Sequence, residues 1–153
     1  MTPSQAQKFP QARILLLVES SSNSESWVKD LRDTDYYCFE RRSFNTRSLL
    51  DTILTEQLWD AIICDYDLTT LPPVDVLRHA LQLRPQTPFL FLSTTPDLRL
   101  AVEMMRLGAR GFVEKGDQAH LLELLRQELH ARSRAATSVS IEREQHILDT
   151  FDD

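Results

Sequence analysis

Four polar clusters follow short apolar segments of the chain, and their residue types suit phosphoryl-group chemistry. The clusters contain two carboxylates, a hydroxyl and an ammonium group: Glu19, Asp65, Ser93 and Lys115. Carboxylates that lie together repel one another unless a cation neutralises them, and Mg²⁺ prefers carboxylate, carbonyl and water oxygens. A lysine ammonium can hold a phosphoryl oxygen, and a carboxylate can serve as the nucleophile that accepts the group. The set therefore predicts a nucleophile at Asp65, with a metal ion and Lys115 stabilising the transferred charge.

The elements that would position these residues follow from the alternation of apolar runs and segments of helical period. Predicted strands run from Ile14 to Val18, Tyr36 to Glu40, Ala61 to Cys64, Phe89 to Leu92 and Arg110 to Glu114. A segment of helical period follows each strand, so five strands alternate with five helices. This order predicts an α/β fold with a doubly wound, five-stranded parallel sheet. Because ligands bind beyond the carboxyl ends of such strands, the four clusters are expected along one edge.

Local residue choices indicate where several helices begin and end. Ser22 and Glu25 have the capping-box spacing at the start of the first helix. Thr95 followed by proline predicts the start of the fourth helix, and Gly108 predicts its end. Asp117 is the expected cap of the fifth helix.

Length and composition favour one folded domain. The chain has 153 residues, of which 42% are hydrophobic and 26% charged, a balance that disordered and low-complexity proteins lack. We expect a disordered segment over residues 1–11, the domain over residues 12–132, and a linker with a possible helix over residues 133–153. The two cysteines, Cys38 and Cys64, lie in apolar runs without ligand spacing, which predicts reduced, packed thiols.

Charge and hydropathy exclude two classes of partner. The net charge of −6 argues against nucleic-acid binding, which needs a basic face. No apolar run approaches the roughly 20 residues that span a bilayer, and residues 1–11 are too polar for a signal peptide. We therefore expect a cytoplasmic protein with no direct contact to membrane or nucleic acid.

The sequence resembles the response-regulator receiver domain of two-component signalling over about residues 12 to 131. The segment from Ile14 to Glu19 resembles that family's first strand and the start of its acidic pair, and the segment from Ala61 to Asp65 resembles the strand that ends in its phosphoacceptor. Phe91 to Thr94 resembles the strand with the switch hydroxyl. The most specific stretch, Ala101 to Asp117, resembles the fourth helix, Gly-Ala turn, aromatic switch position and lysine of the family.

The resemblance implies a flavodoxin-like fold and a signalling role. Asp65 would accept a phosphoryl group from a histidine kinase or phosphotransfer protein, so the chain would be no enzyme beyond its own phosphorylation and dephosphorylation. The residues implied to contact the phosphoryl group or to switch are Ser93, Thr94, Phe112 and Lys115. Those implied to bind Mg²⁺ are Glu19, Asp65 and the backbone carbonyl of Asp67. The face formed by helix four, strand five and helix five would change and could support a homodimer.

One departure from the family pattern leaves two interpretations open. Ser20 occupies the position at which the family has a second acid, and a serine hydroxyl is an uncharged, weak Mg²⁺ ligand. We therefore expect weak Mg²⁺ binding, with the side chain of Asp67 as a partial replacement for the missing charge. The first interpretation is a phosphoacceptor at Asp65. The second is a pseudo-receiver that acts by protein contact alone.

A phosphatase of the haloacid-dehalogenase type is a third, weaker interpretation. Asp65, Asp67 and Thr69 match its Asp-x-Asp-x-Thr motif, in which the first aspartate is the nucleophile and the second the general acid. Ser93 and Lys115 could fill its remaining positions. However, that motif usually begins the fold, whereas here two predicted strands and two predicted helices precede the strand that carries it.

Overall fold

The computed structural model of the chain describes residues 12–19, 25–34 and 37–131. The predictions for residues 1–11 and 132–153, for Ser20 and for the capping residue Ser22 lie outside these ranges. Strands and helices alternate throughout the described part: β1 (Arg13–Glu19), α1 (Glu25–Asp33), β2 (Cys38–Phe44), α2 (Arg47–Thr55), β3 (Ala61–Asp65), α3 (Pro73–Leu83), β4 (Phe89–Ser93), α4 (Leu98–Arg106), β5 (Gly111–Glu114) and α5 (118–131).

All five strands form one parallel sheet in the order β2-β1-β3-β4-β5. This arrangement confirms the predicted doubly wound, flavodoxin-like α/β fold. The chain moves to β2 on one side of β1 and to β3 on the other, so the order reverses at β1. In open sheets of this kind the crevice beyond the carboxyl ends, next to the reversal, is the usual ligand site.

The sheet is buried on both faces because alternate residues of its central strands point to opposite sides. Leu15 and Leu17 of β1 pack with α2, α3 and α4 on one face, whereas Ile14, Leu16 and Val18 pack with α1 and α5 on the other. All five side chains are fully buried. Each such side chain contributes about 1.5–3 kcal/mol of burial free energy, so the continuous apolar runs specify a two-sided core.

Two element boundaries differ from the sequence-based expectation by three residues or more. The prediction ended β2 at Glu40, but the strand continues to Phe44 because it pairs along the whole length of β1. The prediction began α4 at Thr95, but the helix begins at Leu98. Asp97 is its cap, since its carboxylate accepts hydrogen bonds from the backbone N–H groups of the following turn.

Other local expectations have mixed outcomes. Gly108 ends α4 with a φ of 124°, as predicted, and the backbone N–H of His120 donates to the carboxylate of Asp117 at 3.2 Å. Cys64 is buried, but the prediction of a packed thiol is wrong for Cys38, whose side chain is exposed on the edge strand. Within the described ranges, no helix is long and apolar enough to cross a membrane.

Candidate functional site

Backbone hydrogen bonds between strands bring the predicted polar residues together at one edge of the sheet. The N–H of Tyr66 donates to the carbonyl oxygen of Leu92, and the N–H of Lys115 donates to that of Ser93, both at 2.8 Å. Asp65 and Ser93 are the last residues of their strands and are almost completely buried. The ends of β3, β4 and β5 therefore form a single small site.

Lys115 joins two carboxylates at this edge. Its Nζ lies 2.8 Å from Oδ1 of Asp65 and 2.8 Å from Oδ2 of Asp67. Burial by itself would lower the pKa of Lys115, but the hydrogen bonds and charges of the two aspartates outweigh burial and raise it. Lys115 therefore carries its charge at neutral pH. Its Nζ also lies 6.0 Å from the ring centre of Trp27, which places the aromatic face of α1 beside the ammonium group.

The side chain of Asp67 contacts the loop that follows β4. Its Oδ2 accepts hydrogen bonds from the backbone N–H of Thr94 at 2.9 Å and from the Thr94 hydroxyl at 2.8 Å. Partial burial would raise the pKa of Asp67, but the bonds from Lys115 and Thr94 outweigh that cost and lower it. From the sequence, Asp67 was expected to bind a metal ion through its backbone carbonyl and to add negative charge to the site. The structure shows in addition that its carboxylate accepts hydrogen bonds from three donor groups.

The carboxylate of Glu19 is bound by the loop between β3 and α3. Its Oε1 accepts hydrogen bonds from the backbone N–H groups of Thr69 and Thr70, the latter at 2.7 Å, and its Oε2 accepts one from the Thr69 hydroxyl at 3.0 Å. Glu19 is only 4% exposed, so these donors replace the water that it loses on folding. The described donors to the Glu19 carboxylate thus come from the β3–α3 loop, and its role as a Mg²⁺ ligand stays a prediction.

The described carboxylates do not surround a common point. Glu19 binds the β3–α3 loop, while Asp65 and Asp67 lie on either side of Lys115. Among residues 12–19, 25–34 and 37–131, no group of three or more His, Cys, Asp or Glu side chains is arranged to hold a metal ion. The described carboxylates therefore do not form a complete metal site in this arrangement, and Mg²⁺ binding through Glu19 would require its carboxylate to exchange hydrogen-bond partners.

Aromatic rings connect the acidic end of β3 with β5. Phe112, the predicted switch aromatic, is partly buried against the ring of Tyr66, with centroids 4.8 Å apart in an edge-to-face arrangement. Both rings also contact Phe91, with centroid separations of 5.2 Å from Tyr66 and 5.9 Å from Phe112. Because Tyr66 directly follows Asp65, the position of Phe112 is tied to the backbone at the site.

The structure brings most of the predicted site residues together and adds two that the sequence did not indicate. Asp65, Asp67, Thr94 and Lys115 form one hydrogen-bonded group, with Ser93 beside it, whereas Phe112 lies in the adjacent aromatic cluster. Tyr66 and Thr69 were missed as positioning residues. The position of Tyr66 next to Asp65 was the only available signal for it. For Thr69 the signal was a pair of adjacent threonines in the loop that follows Asp65.

The phosphatase motif is not assembled as that class of enzyme requires. Thr69 binds Glu19 through both its N–H and its hydroxyl, so its hydroxyl is turned to β1 and not to Asp65. The Asp-x-Asp-x-Thr spacing thus has a different structural explanation here.

Comparison with known proteins identifies the fold. No protein-family model and no curated protein matches the chain. A response regulator receiver domain protein from Clostridium thermocellum is similar in structure, with 22% identity, coverage of 81% of this chain and 98% of that chain, and a TM-score of 0.67. A LuxR-family two-component response regulator from Aurantimonas sp. SI85-9A1 has 20% identity, coverage of 86% and 97%, and a TM-score of 0.67.

A third structure, a CheY-like receiver domain protein from Methanospirillum hungatei JF-1, has 18% identity, coverage of 81% of this chain and 98% of that chain, and a TM-score of 0.67. Nearly the whole length of each of these proteins is matched. The chain therefore has the fold of response-regulator receiver domains, as the resemblance in its motifs predicted.

Proposed function

We propose that the chain is a receiver domain of two-component signalling in which Asp65 accepts a phosphoryl group. The observation that carries the proposal is the 2.8 Å contact between Lys115 Nζ and Asp65 Oδ1 at the carboxyl edge of a receiver-fold sheet. The donor would be the phosphohistidine of a histidine kinase or phosphotransfer protein. This assignment implies a cytoplasmic location, because such donors present their phosphohistidine there.

The chemistry is an in-line transfer that the residues of this chain can support. Oδ1 of Asp65 is already bonded to Lys115 and to the backbone N–H of Asp67, which leaves Oδ2 as the attacking atom. A bond forms between Oδ2 and phosphorus as the phosphorus–nitrogen bond of phosphohistidine breaks, and the imidazole leaves with that electron pair. Lys115, which contacts Asp65, and the N–H of Thr94, which contacts Asp67, are the proposed donors to the oxygens of the transferred group.

A weak Mg²⁺ site at Glu19, Asp65 and the backbone carbonyl of Asp67 is part of the same proposal. A bound Mg²⁺ would neutralise charge on the phosphoryl oxygens. Thr69 and Thr70 together donate three hydrogen bonds to the carboxylate of Glu19. Because Mg²⁺ must compete with these bonds, the contacts support a low affinity for Mg²⁺. Replacement of Ser20 by aspartate should strengthen Mg²⁺ binding measured by calorimetry. Unchanged binding would remove Ser20 from the proposed site.

The proposed output is the face formed by α4, β5 and α5. Leu98, Val102 and Met105 are exposed at 82%, 44% and 48%, and their spacing places them on one side of α4. Exposed apolar side chains grouped in this way are typical of protein contacts. We propose that this face binds an effector or a second copy of the chain.

Intact-mass measurement tests phosphoacceptance directly. The protein treated with acetyl phosphate and Mg²⁺ should gain one phosphoryl group, and the Asp65→Asn variant should gain none. Asp75→Asn is a matched control, because Asp75 is also ion-paired, 3.0 Å from Arg47, but its partner is a residue of α2 and not Lys115. An unchanged mass of the wild-type protein under excess donor would refute phosphoacceptance.

A pseudo-receiver is the second candidate function, and a specific contact favours it. The carboxylate of Asp67 already binds Lys115 and Thr94, the groups that a phosphoryl oxygen would need. In a pseudo-receiver, the donor treatment and Mg²⁺ would both leave the mass and the amide NMR spectrum of α4 unchanged. Saturable Mg²⁺ binding that Asp65→Ala abolishes would count against this function. Sustained hydrolysis of a phosphomonoester would instead revive the phosphatase interpretation.

A further inference from the structure

We propose that the Asp67 carboxylate is an internal ligand of an oxyanion cradle and holds the loop after β4 in place when no external oxyanion is bound. The cradle consists of the Thr94 backbone N–H, the Thr94 hydroxyl and the Lys115 ammonium group. The inference deepens the proposed function, since the cradle would also serve a phosphoryl group. Its test uses no phosphodonor, so the two can fail separately.

The geometry of the cradle is that of an occupied anion site. All three donors converge on one atom, Oδ2 of Asp67, from 2.9 Å, 2.8 Å and 2.8 Å. One backbone N–H, one hydroxyl and one ammonium are the donor types that bind phosphate and carboxylate oxygens in proteins. A carboxylate of the chain itself fills the position that an external oxyanion would otherwise take.

Asp65 fixes the backbone from which this carboxylate extends. The N–H of Asp67 donates to Oδ1 of Asp65 at 2.9 Å, and Lys115 bridges both side chains. The end of β3 is thereby joined through Asp67 to Thr94, the first residue after β4. The ends of β3 and β4 are thus connected by hydrogen bonds of the Asp67 side chain, without a bound metal ion or phosphoryl group.

The connection reaches the proposed output face through a short segment. Only residues 94–97 separate β4 from α4, and Asp97 at the end of that segment caps the helix. Leu98, the first residue of α4, is the most exposed of its apolar side chains. A constraint on the position of Thr94 therefore limits where α4 can begin. Through this constraint, Asp67 would influence the position of the face formed by α4, β5 and α5.

Competition for the same donors is the consequence of this arrangement. An oxyanion that enters the cradle must displace Oδ2 of Asp67 from Thr94 and Lys115. Asp67 should therefore lower the affinity for external oxyanions while keeping the loop ordered in their absence. Its removal should reverse both effects.

Amide hydrogen exchange and phosphate titration by NMR test the proposal on the intact chain. In Asp67→Ala the Thr94 amide should exchange at least about tenfold faster than in the wild type, the factor expected for loss of a charge-assisted hydrogen bond. Inorganic phosphate should then shift the Thr94 amide of Asp67→Ala saturably and restore its protection. The double variant with Lys115→Met should lose that response.

Matched variants separate the proposal from a general loss of charge or of folding. Asp75→Ala removes an ion-paired acid of α3 and should change neither Thr94 exchange nor phosphate binding. Asp67→Asn keeps an oxygen acceptor without charge and should fall between the wild type and Asp67→Ala. Equal Thr94 exchange in the wild type and both Asp67 variants would overturn the proposal. Equal phosphate affinity in the wild type and Asp67→Ala would also overturn it.

Discussion

Thr69 binds the carboxylate of Glu19 through both its backbone N–H and its hydroxyl, although the two residues are 50 positions apart in the chain. The contact fastens the end of β1 to the loop between β3 and α3. Since the carboxylate is almost completely buried, the loop must keep its present path for the charge to remain satisfied. One acid of the candidate site therefore organises the loop that follows the predicted nucleophile.

Removal of this carboxylate should destabilise the protein more than removal of the threonine hydroxyl. We expect Glu19→Ala to lower the free energy of unfolding by about 1.5–3 kcal/mol, the range for hydrogen bonds to charged groups. Thr69→Val loses only one of the bonds and should cost about 1 kcal/mol. Urea denaturation of both variants measures the difference. A larger loss in Thr69→Val than in Glu19→Ala would contradict the proposed role of Glu19.

The aromatic contact between Phe112 and Tyr66 should contribute measurably to stability. We expect Phe112→Ala to lower the free energy of unfolding by about 2 kcal/mol, because the ring is partly buried and contacts two other rings. Leu58→Ala is the control, since Leu58 is 76% exposed and its truncation should cost no more than about 0.5 kcal/mol. Equal losses in the two variants would show that the ring contacts are energetically neutral.

Gly108 and Gly116 both have positive φ angles, and comparing their substitution by alanine separates backbone strain from steric clash. A Cβ on Gly108 would lie 2.6 Å from Cδ1 of Leu81, whereas one on Gly116 would meet no atom within 4 Å. Gly116→Ala should cost about 1–3 kcal/mol through its backbone conformation alone. Gly108→Ala has the same type of strain plus the clash, so its melting temperature should fall further. The reverse order would refute the steric part of this explanation.

The two thiols should differ strongly in reactivity. Burial, reinforced by the charge of Asp65, raises the pKa of Cys64 well above its usual range, and the thiol has no solvent access. Cys38 is exposed, so a disulfide reagent should modify it at least about a hundredfold faster than Cys64. In Cys38→Ser, modification should await unfolding in urea. Rapid labelling of native Cys38→Ser would show that β3 opens readily.

Ionisation of Tyr37 should make the protein less stable at alkaline pH. Burial raises the pKa of Tyr37, and the charge of Glu123 adds to the rise while that of Arg126 opposes it. Its stabilising contribution is therefore complete below about pH 10, the ordinary pKa of tyrosine, and is lost as pH rises through the higher folded-state pKa. Tyrosine ionisation can be followed by ultraviolet absorbance as pH rises. The difference between the titration curves of the wild type and Tyr37→Phe gives the ionisation midpoint of Tyr37. A Tyr37 midpoint at or below that of denatured protein would contradict the prediction.

The α/β class and the approximate position of every strand were predictable from the sequence. Runs such as Ile14 to Val18 are continuously apolar, and a strand of that kind must be covered on both faces. The meeting of Asp65, Ser93 and Lys115 was predictable for a related reason, since the carboxyl ends of parallel strands lie along one edge. The extension of β2 to Phe44 was not, because its polar residues pair along an exposed edge.

The partners of the carboxylates were decided only by the tertiary structure. The sequence did not indicate that Glu19 would bind Thr69, or that the carboxylate of Asp67 would bind Thr94, 27 residues later. Periodicity specifies which side of the sheet a residue faces but not the path of the loops at its edge. A buried carboxylate accepts whichever donors those loops present, because the free-energy cost of an unsatisfied charge exceeds any local preference of its side chain.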